Sequence, residues 1–230
     1  MTKYIVVVGA SRGIGSELVK HLAIDKNNQL LALSRNIEKM STEFGHLTNV
    51  KSVEFDLDST NLRAKIETIF SDLPRIDILI NNAGKLISKP FLELTEEDVR
   101  SCYQVNVLGD FSVIQAAIPL MTEDRAHVVS ISSMGGFQGS VKFPGLSAYS
   151  TSKAAVASLT ELLAEEYKDT NISFNCLALG AAQTEMLEEA FPGYQAPVSA
   201  EKMAEFIADF SLNANQWIKG KVIPVSLSTP

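Results

Sequence analysis

Apolar positions along this chain follow two rhythms. Seven short runs rich in β-branched residues read as strands, several of them apolar almost continuously: YIVVVG at 4–9, QLLALS at 29–34, VKSVEF at 50–55, IDILIN at 76–81, AHVVSIS at 126–132, ISFNCLAL at 172–179 and KVIPVS at 221–226. A strand with one wet face alternates apolar and polar residues, whereas an unbroken apolar strand is covered on both faces, as in parallel sheets. Between these runs, spacing predicts helices near 13–24, 59–71, 95–118, 147–168 and 200–209, with a shorter one near 36–44. Thr95 and Asp98 form a variant of the capping box at the start of the 95–118 segment. Strands alternating with helices imply right-handed βαβ crossovers. The expected fold class is therefore α/β, a doubly wound, mostly parallel seven-stranded sheet with helices on both faces. Nothing resembles a linker or an internal repeat, so a single domain over 1–230 is expected.

Composition narrows the function. A chain of 230 residues, 46% apolar and 20% charged, can bury one sizeable core. Its net charge of −7 supplies no overall basic field for nucleic acid or an anionic membrane, and no apolar run is long enough for a span. The opening MTKYIVVVGASRG enters a strand without a signal-peptide pattern, so a cytoplasmic location is expected. Cys102 and Cys176 read as buried free thiols, and His21, His46 and His127 are too scattered for a metal site.

The first strand runs into GASRGIG at 9–15, where glycines let backbone approach a pyrophosphate and the next helix presents its N-terminal amides. The spacing is G-x-x-x-G-x-G, not the usual G-x-G-x-x-G. The same letters fit a G-x-S-x-G nucleophile elbow at Ser11, but only one strand precedes it, which disfavours a hydrolase. At the end of the second strand, an Asp or Glu would bind free ribose hydroxyls and repel a 2′-phosphate. This chain has Ser34 and Arg35 there. Arg35 offers a planar cation to the phosphate and Arg12 a second clamp, so NADP(H) is expected in preference to NAD(H). The alternative for Arg35 is an exposed cation at a helix start.

Tyr149 and Lys153, four apart in SAYSTSKAAV, would lie on one side of a helix with Cβ atoms about 6 Å apart. Alone, that pair is compatible with a packed tyrosine and a solvated lysine. GASRGIG, NNAG at 81–84, QVNVLG at 104–109, SISSMGG at 130–136 and YSTSK at 149–153 occur in this order. The chain thereby resembles the short-chain dehydrogenase/reductase family over nearly its whole length. The resemblance implies a Rossmann-like fold and a catalytic tetrad of Asn106, Ser133, Tyr149 and Lys153. Ser132 fits the same count to Gly135 that Ser133 fits to Gly136, and strand alternation allows at most one of them to face a substrate; Ser133 is chosen. The resemblance further implies cofactor contacts from Gly9, Ser11, Arg12, Gly13, Ile14, Gly15, Ser34 and Arg35. Others are implied at Asp56 and Leu57 beside the adenine, Asn82, Ala83 and Gly84 after the fourth strand, Tyr149, Lys153, and Gly180, Ala182 and Thr184 after the sixth. Asp56 could instead cap the following helix, and NNAG could be only a turn.

In that family's chemistry Tyr149 would protonate a carbonyl oxygen during hydride transfer, with Lys153 favouring the phenolate. Bringing a phenol from about 10 towards neutrality takes roughly 4 kcal/mol of preferential anion stabilisation. Ser133 would donate to the substrate oxygen, and Asn106 would hold a water leading from Lys153 to solvent, or merely cap a bent helix. The segment ALGAAQTEM departs from the family pattern, with Leu179 where proline is usual and Ala182 where a branched residue is usual; loss of the proline is expected to loosen this loop. The ending VIPVSLSTP lacks the family's Asp-Gly-Gly finish. Substrate loops are expected near 134–148 and 184–200, where Phe137, Phe143, Met186, Leu187, Phe191 and Tyr194 form either an apolar lid or ordinary packing. The expected activity is an NADP(H)-dependent oxidoreductase acting on a small carbonyl or alcohol, a carbonyl reductase, with a non-catalytic dinucleotide sensor as the alternative. The resemblance implies a homodimer or homotetramer through the 95–118 and 147–168 helices.

Overall fold

Alternation along the first strand sorts the whole molecule into two layers. Ile5 and Val7 point to one side of the sheet, Val6 and Val8 to the other, and all four are buried. The computed structural model describes residues 2–122 and 125–227; the last three letters of VIPVSLSTP lie outside the described residues. In chain order the elements are β1 (Lys3–Val8), α1 (Gly13–Leu22), β2 (Asn28–Ser34), α2 (Ile37–Phe44), β3 (Val50–Glu54), α3 (Leu62–Phe70), β4 (Ile78–Asn81), α4 (Glu96–Tyr103) and α5 (Gly109–Ala117). There follow β5 (His127–Ser133), α6 (Ser147–Glu166), β6 (Ser173–Leu179), β7 (Ala182–Gln183), α7 (Glu185–Ala190), β8 (Val198–Ser199), α8 (Ala200–Asn213) and β9 (Val222–Val225).

Seven strands form one sheet in the order β3-β2-β1-β4-β5-β6-β9, every neighbouring pair parallel. Helices α1, α2 and α8 cover the face to which Ile5, Val7, Ile78 and Ile80 point. Helices α3, α5 and α6 cover the face of Val6, Val8, Leu79 and Val128. This is the doubly wound α/β architecture that the unbroken apolar runs predict. The chain winds outward from β1 through β2 to β3, then returns to the other side of β1 for β4. Loops leaving β1 and β4 therefore part towards opposite faces and open a crevice at the carboxyl ends of the strands.

Two local differences from the sequence expectation bear on the site. The segment 95–118 is not one regular helix: α4 and α5 are joined through a π-helical stretch, Gln104–Leu108, whose wider turn accommodates an extra residue and carries Asn106. The short α7 and the β7–β8 pair were invisible to periodicity because neither is long enough to show a repeat. The capping box is present as expected: Thr95 Oγ1 accepts from the Asp98 amide at 3.1 Å and Asp98 Oδ2 from the Thr95 amide at 3.0 Å. Among the described residues, no helix is long and apolar enough to cross a membrane.

Candidate active site

The glycine turn after β1 is pressed against the segment after β4. Gly9 has φ +86°, and a Cβ there would lie 2.6 Å from the backbone of Ala83, so only glycine fits. Asn82 Nδ2 donates to the Gly9 carbonyl at 3.0 Å, and the amides of Gly9 and Ala10 both donate to the Leu33 carbonyl. Ser34 donates its hydroxyl to Ser11 Oγ at 2.7 Å, which ties the end of β2 to the same turn. That pairing leaves Ser11 with a serine, not a histidine, as its side-chain partner. Arg12 is the N-cap of α1 but provides no side-chain acceptor, and the first turn contains no acid. The amides of Gly13, Ile14 and Gly15 thus face the crevice at the positive end of the helix, a cradle that fits an anionic phosphate.

Three cations surround this cradle. Arg35 is exposed just beyond β2 and pairs with none of the described acids. Arg12 is engaged by Glu189 and Lys39 by Glu185 at 3.4 Å, both carboxylates belonging to α7. Asn36 caps α2 by accepting from the Lys39 amide at 2.9 Å, and the helix start thereby carries Lys39 towards the turn. Lys39 was not singled out in the sequence, since a lysine in a short polar helix has no distinguishing pattern. Thr184 caps α7 through Leu187, and its methyl group lies 3.2 Å from the place a Gly13 Cβ would occupy.

Asp56 does not cap α3: its Oδ1 accepts from the Asp58 amide at 3.0 Å, and the residue at the N-cap is Asn61 in the left-handed region at φ 55°. Leu57 is buried against Gly109, and its carbonyl accepts from Gln104 Nε2 at 3.1 Å. Leu179, where proline was expected, is the last residue of β6, buried and in register with both Ser133 and Val225. Its carbonyl accepts from the Met134 amide at 2.8 Å, so the ladder runs through the position where proline was expected. Ala182 is buried in β7, and the Gly180 amide donates to Val225 at 2.9 Å.

Helix α6 brings Tyr149 and Lys153 alongside the end of β5. The Ser133 hydroxyl lies near enough to the Tyr149 phenol to oppose the effect of its burial, and its Oγ accepts from the Gly135 amide at 3.2 Å. Ser132 turns the other way, donating to the Lys153 carbonyl at 2.7 Å, and so anchors α6 to the sheet. A Cβ on Gly136 would come within 2.6 Å of the Ala154 nitrogen, which explains why the loop after β5 can lie directly on α6. Lys153, one turn after Tyr149 and 4% exposed, donates to the Ile131 carbonyl at 2.7 Å. Asn106 is fully engaged: its Oδ1 accepts from the Lys85 amide at 2.7 Å, while Nδ2 donates to the Lys85 carbonyl at 3.0 Å and Ser152 Oγ at 2.8 Å. It clasps both backbone polar groups of Lys85, its N–H and its C=O, and that fixes Gly84 beside Lys153 Nζ and Asn106 Oδ1.

The profile of the short chain dehydrogenase family matches residues 3–195. This chain belongs to that family. Over 197 residues it is 36% identical to an L-2,3-butanediol dehydrogenase of Corynebacterium glutamicum, covering 82% of this chain and 75% of that one. It is 30% identical to the 3-oxoacyl-[acyl-carrier-protein] reductase FabG of Aquifex aeolicus, covering 97% and 96%. Among solved structures, a short chain dehydrogenase from Salmonella enterica serovar Typhi superimposes with a TM-score of 0.88 at 27% identity, over 97% of this chain and 96% of the other. The Pseudomonas aeruginosa RhlG/NADP complex does so with 0.86 at 26%, over 97% and 94%.

Electrostatically, this short-chain dehydrogenase keeps its phenol protonated. Burial pushes Tyr149 up to about 12, with only the Ser133 hydroxyl opposing it among its main influences. The lowering expected from Lys153 is not found, because the ammonium is directed at the Ile131 carbonyl and burial works against it as well, driving the lysine below its usual range. Of the apolar loop residues, Phe137, Phe143, Met186, Leu187 and Phe191 are half-buried and Tyr194 is exposed. None is part of the closed core.

Proposed function

We propose that this oxidoreductase is an NADP(H)-dependent carbonyl reductase, with Tyr149, Ser133, Lys153 and Asn106 as its working residues. The observation that carries the proposal is the placement of Tyr149 on α6 beside Ser133 at the end of β5, with the buried Lys153 a helical turn away. When bound, the reduced nicotinamide would supply a hydride to the carbonyl carbon. The chain supplies the rest. The Tyr149 O–H bond breaks as its proton passes to the carbonyl oxygen, and the bonding pair stays on the phenolate. Ser133 donates to the same oxygen and positions it. Reduction consumes a proton, and the phenol is in its acid form at neutral pH. Lys153 places positive charge one turn from the nascent phenolate, and Asn106 keeps the 82–85 segment against it.

Support for NADP(H) over NAD(H) comes from Arg35, Arg12 and Lys39 around the cradle, from the lack of an acid at the end of β2, and from the NADP complex of RhlG. Gly9, Ser11, Gly13, Ile14, Gly15 and Ser34 would hold the phosphates. Asp56, Leu57, Asn82, Ala83 and Gly84 would line the adenosine and ribose side, with Gly180, Ala182 and Thr184 at the nicotinamide end. The half-buried loop residues favour a substrate lid over core packing. Self-association as a homodimer or homotetramer would cover the exposed Val99, Leu108, Phe111 and Leu162.

The test is a carbonyl panel assayed by NADPH oxidation. Wild type is expected to turn over at least one ketone or aldehyde, and Tyr149→Phe to lose about 100-fold or more in kcat while still binding NADPH. Binding without turnover on any carbonyl would turn the assignment towards a dinucleotide sensor; undiminished turnover in Tyr149→Phe would remove the proton donor.

A further inference from the structure

Behind Lys153 the sheet carries a row of polar side chains directly after an apolar row, Leu79, Val128 and Phe174. Register sets Asn81, Ser130 and Cys176 side by side across β4, β5 and β6. Alternation turns all three to the face covered by α5 and α6, because Leu79, Val128 and Phe174, each two residues earlier, pack into that layer. Asn81 is 1% exposed, yet neither its Nδ2 nor its Oδ1 has a partner. An amide buried without partners is costly, so this row is a polar space and not a sealed apolar one.

Helix α5 delivers one acid into the same layer. Asp110, Val113, Ile114 and Ala117 recur at helical spacing; the last three pack in the core, and Asp110, 5% exposed, heads the same inward stripe. It makes no direct ion pair with a described residue, and its charged neighbour across the layer is Lys153 from α6. The other titratable groups within electrostatic reach are the Cys176 thiol of β6, which feels both charges, and the Cys102 thiol of α4, which donates to the Lys85 carbonyl at 3.3 Å. On α3, Arg63 reaches Gln115 on the exposed side of α5 instead. Packing alone does not call for an acid at 110, since an apolar side chain would simply continue the stripe.

We propose that Asp110 is a positioning residue for the hydride-transfer site: buried on α5 in the helix layer that holds Lys153, it sustains the lysine's positive charge and thereby couples turnover to its own protonation. This rests on the role of Lys153 given above. Burial raises Asp110 to about 7, with Lys153 pulling the other way, and Asp110 in turn raises Lys153. Below pH 7 the carboxyl is neutral and its support of the ammonium is withdrawn; above pH 7 the carboxylate restores it.

Carbon NMR of carboxyl-labelled aspartate tests this without any substrate. The Asp110 resonance, identified by its loss in Asp110→Glu, is expected to titrate near pH 7 and to titrate higher still in Lys153→Met. A resonance that titrates in the ordinary carboxylate range, or that Lys153→Met leaves unmoved, overturns the proposal. In turnover, the plot of kcat against pH is expected to inflect near pH 7 in wild type. Asp110→Asn should lose the inflection and shift its basic limb down by about one pH unit, while Asp110→Glu keeps both. An Asp110→Asn profile that superimposes on wild type, with only the melting temperature changed, would make Asp110 structural and also overturn the proposal. If wild type turns over no carbonyl, the function fails rather than Asp110, and the NMR titration still decides the coupling.

Discussion

Two buried titratable residues set opposite pH dependences on stability. His127 is enclosed between Ser211 and Asn175, with Nδ1 donating to the Ser211 carbonyl at 2.9 Å and Nε2 accepting from Asn175 Nδ2 at 2.9 Å. Burial lowers it from 6.5 to about 4. Between those values the unfolded chain takes up a proton that the folded one refuses, so stability drains away as pH falls through this window, by about 2 kcal/mol from pH 7 to 5. Asp110 is raised from 3.8 to about 7. Its folded form holds a proton that the unfolded chain releases, so the cost of ionising it disappears as pH falls below 7, a gain of about 2 kcal/mol by pH 5. Wild type should therefore show nearly level contributions from the pair, His127→Gln should become relatively more stable towards pH 5, and Asp110→Asn relatively less. Urea midpoints at pH 7 and 5 check both signs, and parallel behaviour of the two variants would contradict the assignment. Neither effect could be read from the letters, since both shifts arise from burial beneath a helix layer.

The element that most shapes the site is the π-helical stretch Gln104–Leu108. It lets Asn106 aim its whole amide at the N–H and C=O of Lys85, and that clasp links the α4–α5 unit to the loop after β4. Asn106→Ala would leave one N–H and one C=O without their partner, which is expected to cost about 2 kcal/mol in urea unfolding. It would also let Gly84 shift relative to Lys153 Nζ, and a displacement of that kind is expected to reduce kcat about 100-fold. Retention of full stability and turnover would show that the clasp is incidental. The sequence placed Asn106 in a helix by its apolar neighbours and marked it as costly if unpaired. The widened turn was hidden, because a π stretch keeps the composition of a helix and changes only its hydrogen-bond register. The short α7 was hidden for the opposite reason, being too brief for any period, and with it went the pairing of Glu189 and Glu185 to Arg12 and Lys39.

For the molecule as a whole, the crevice between β1 and β4 makes dinucleotide binding and global stability one equilibrium. NADPH at about 100 times its Kd is expected to stabilise the fold by about 2.7 kcal/mol, a rise in Tm of about 5–10 °C for a chain of this length. NADH at the same concentration should raise it less, and Arg35→Ala should bring NADPH down to the NADH value. A larger shift with NADH, unchanged by Arg35→Ala, would defeat the phosphate-clamp argument. The sequence by itself determined the layered architecture and the order of the motifs, because strand alternation, helical spacing and glycine turns are local consequences of backbone geometry. It also put Tyr149 and Lys153 on one side of a helix, since four residues nearly complete a turn. Only the tertiary structure showed that Ser132 is spent on the Lys153 carbonyl, that Lys39 reaches Glu185 beside the glycine turn, and that Asp110 is buried in the layer that holds Lys153. Those facts depend on which surfaces pack against each other, and the solvation and charge of a side chain are set by neighbours far away in the chain.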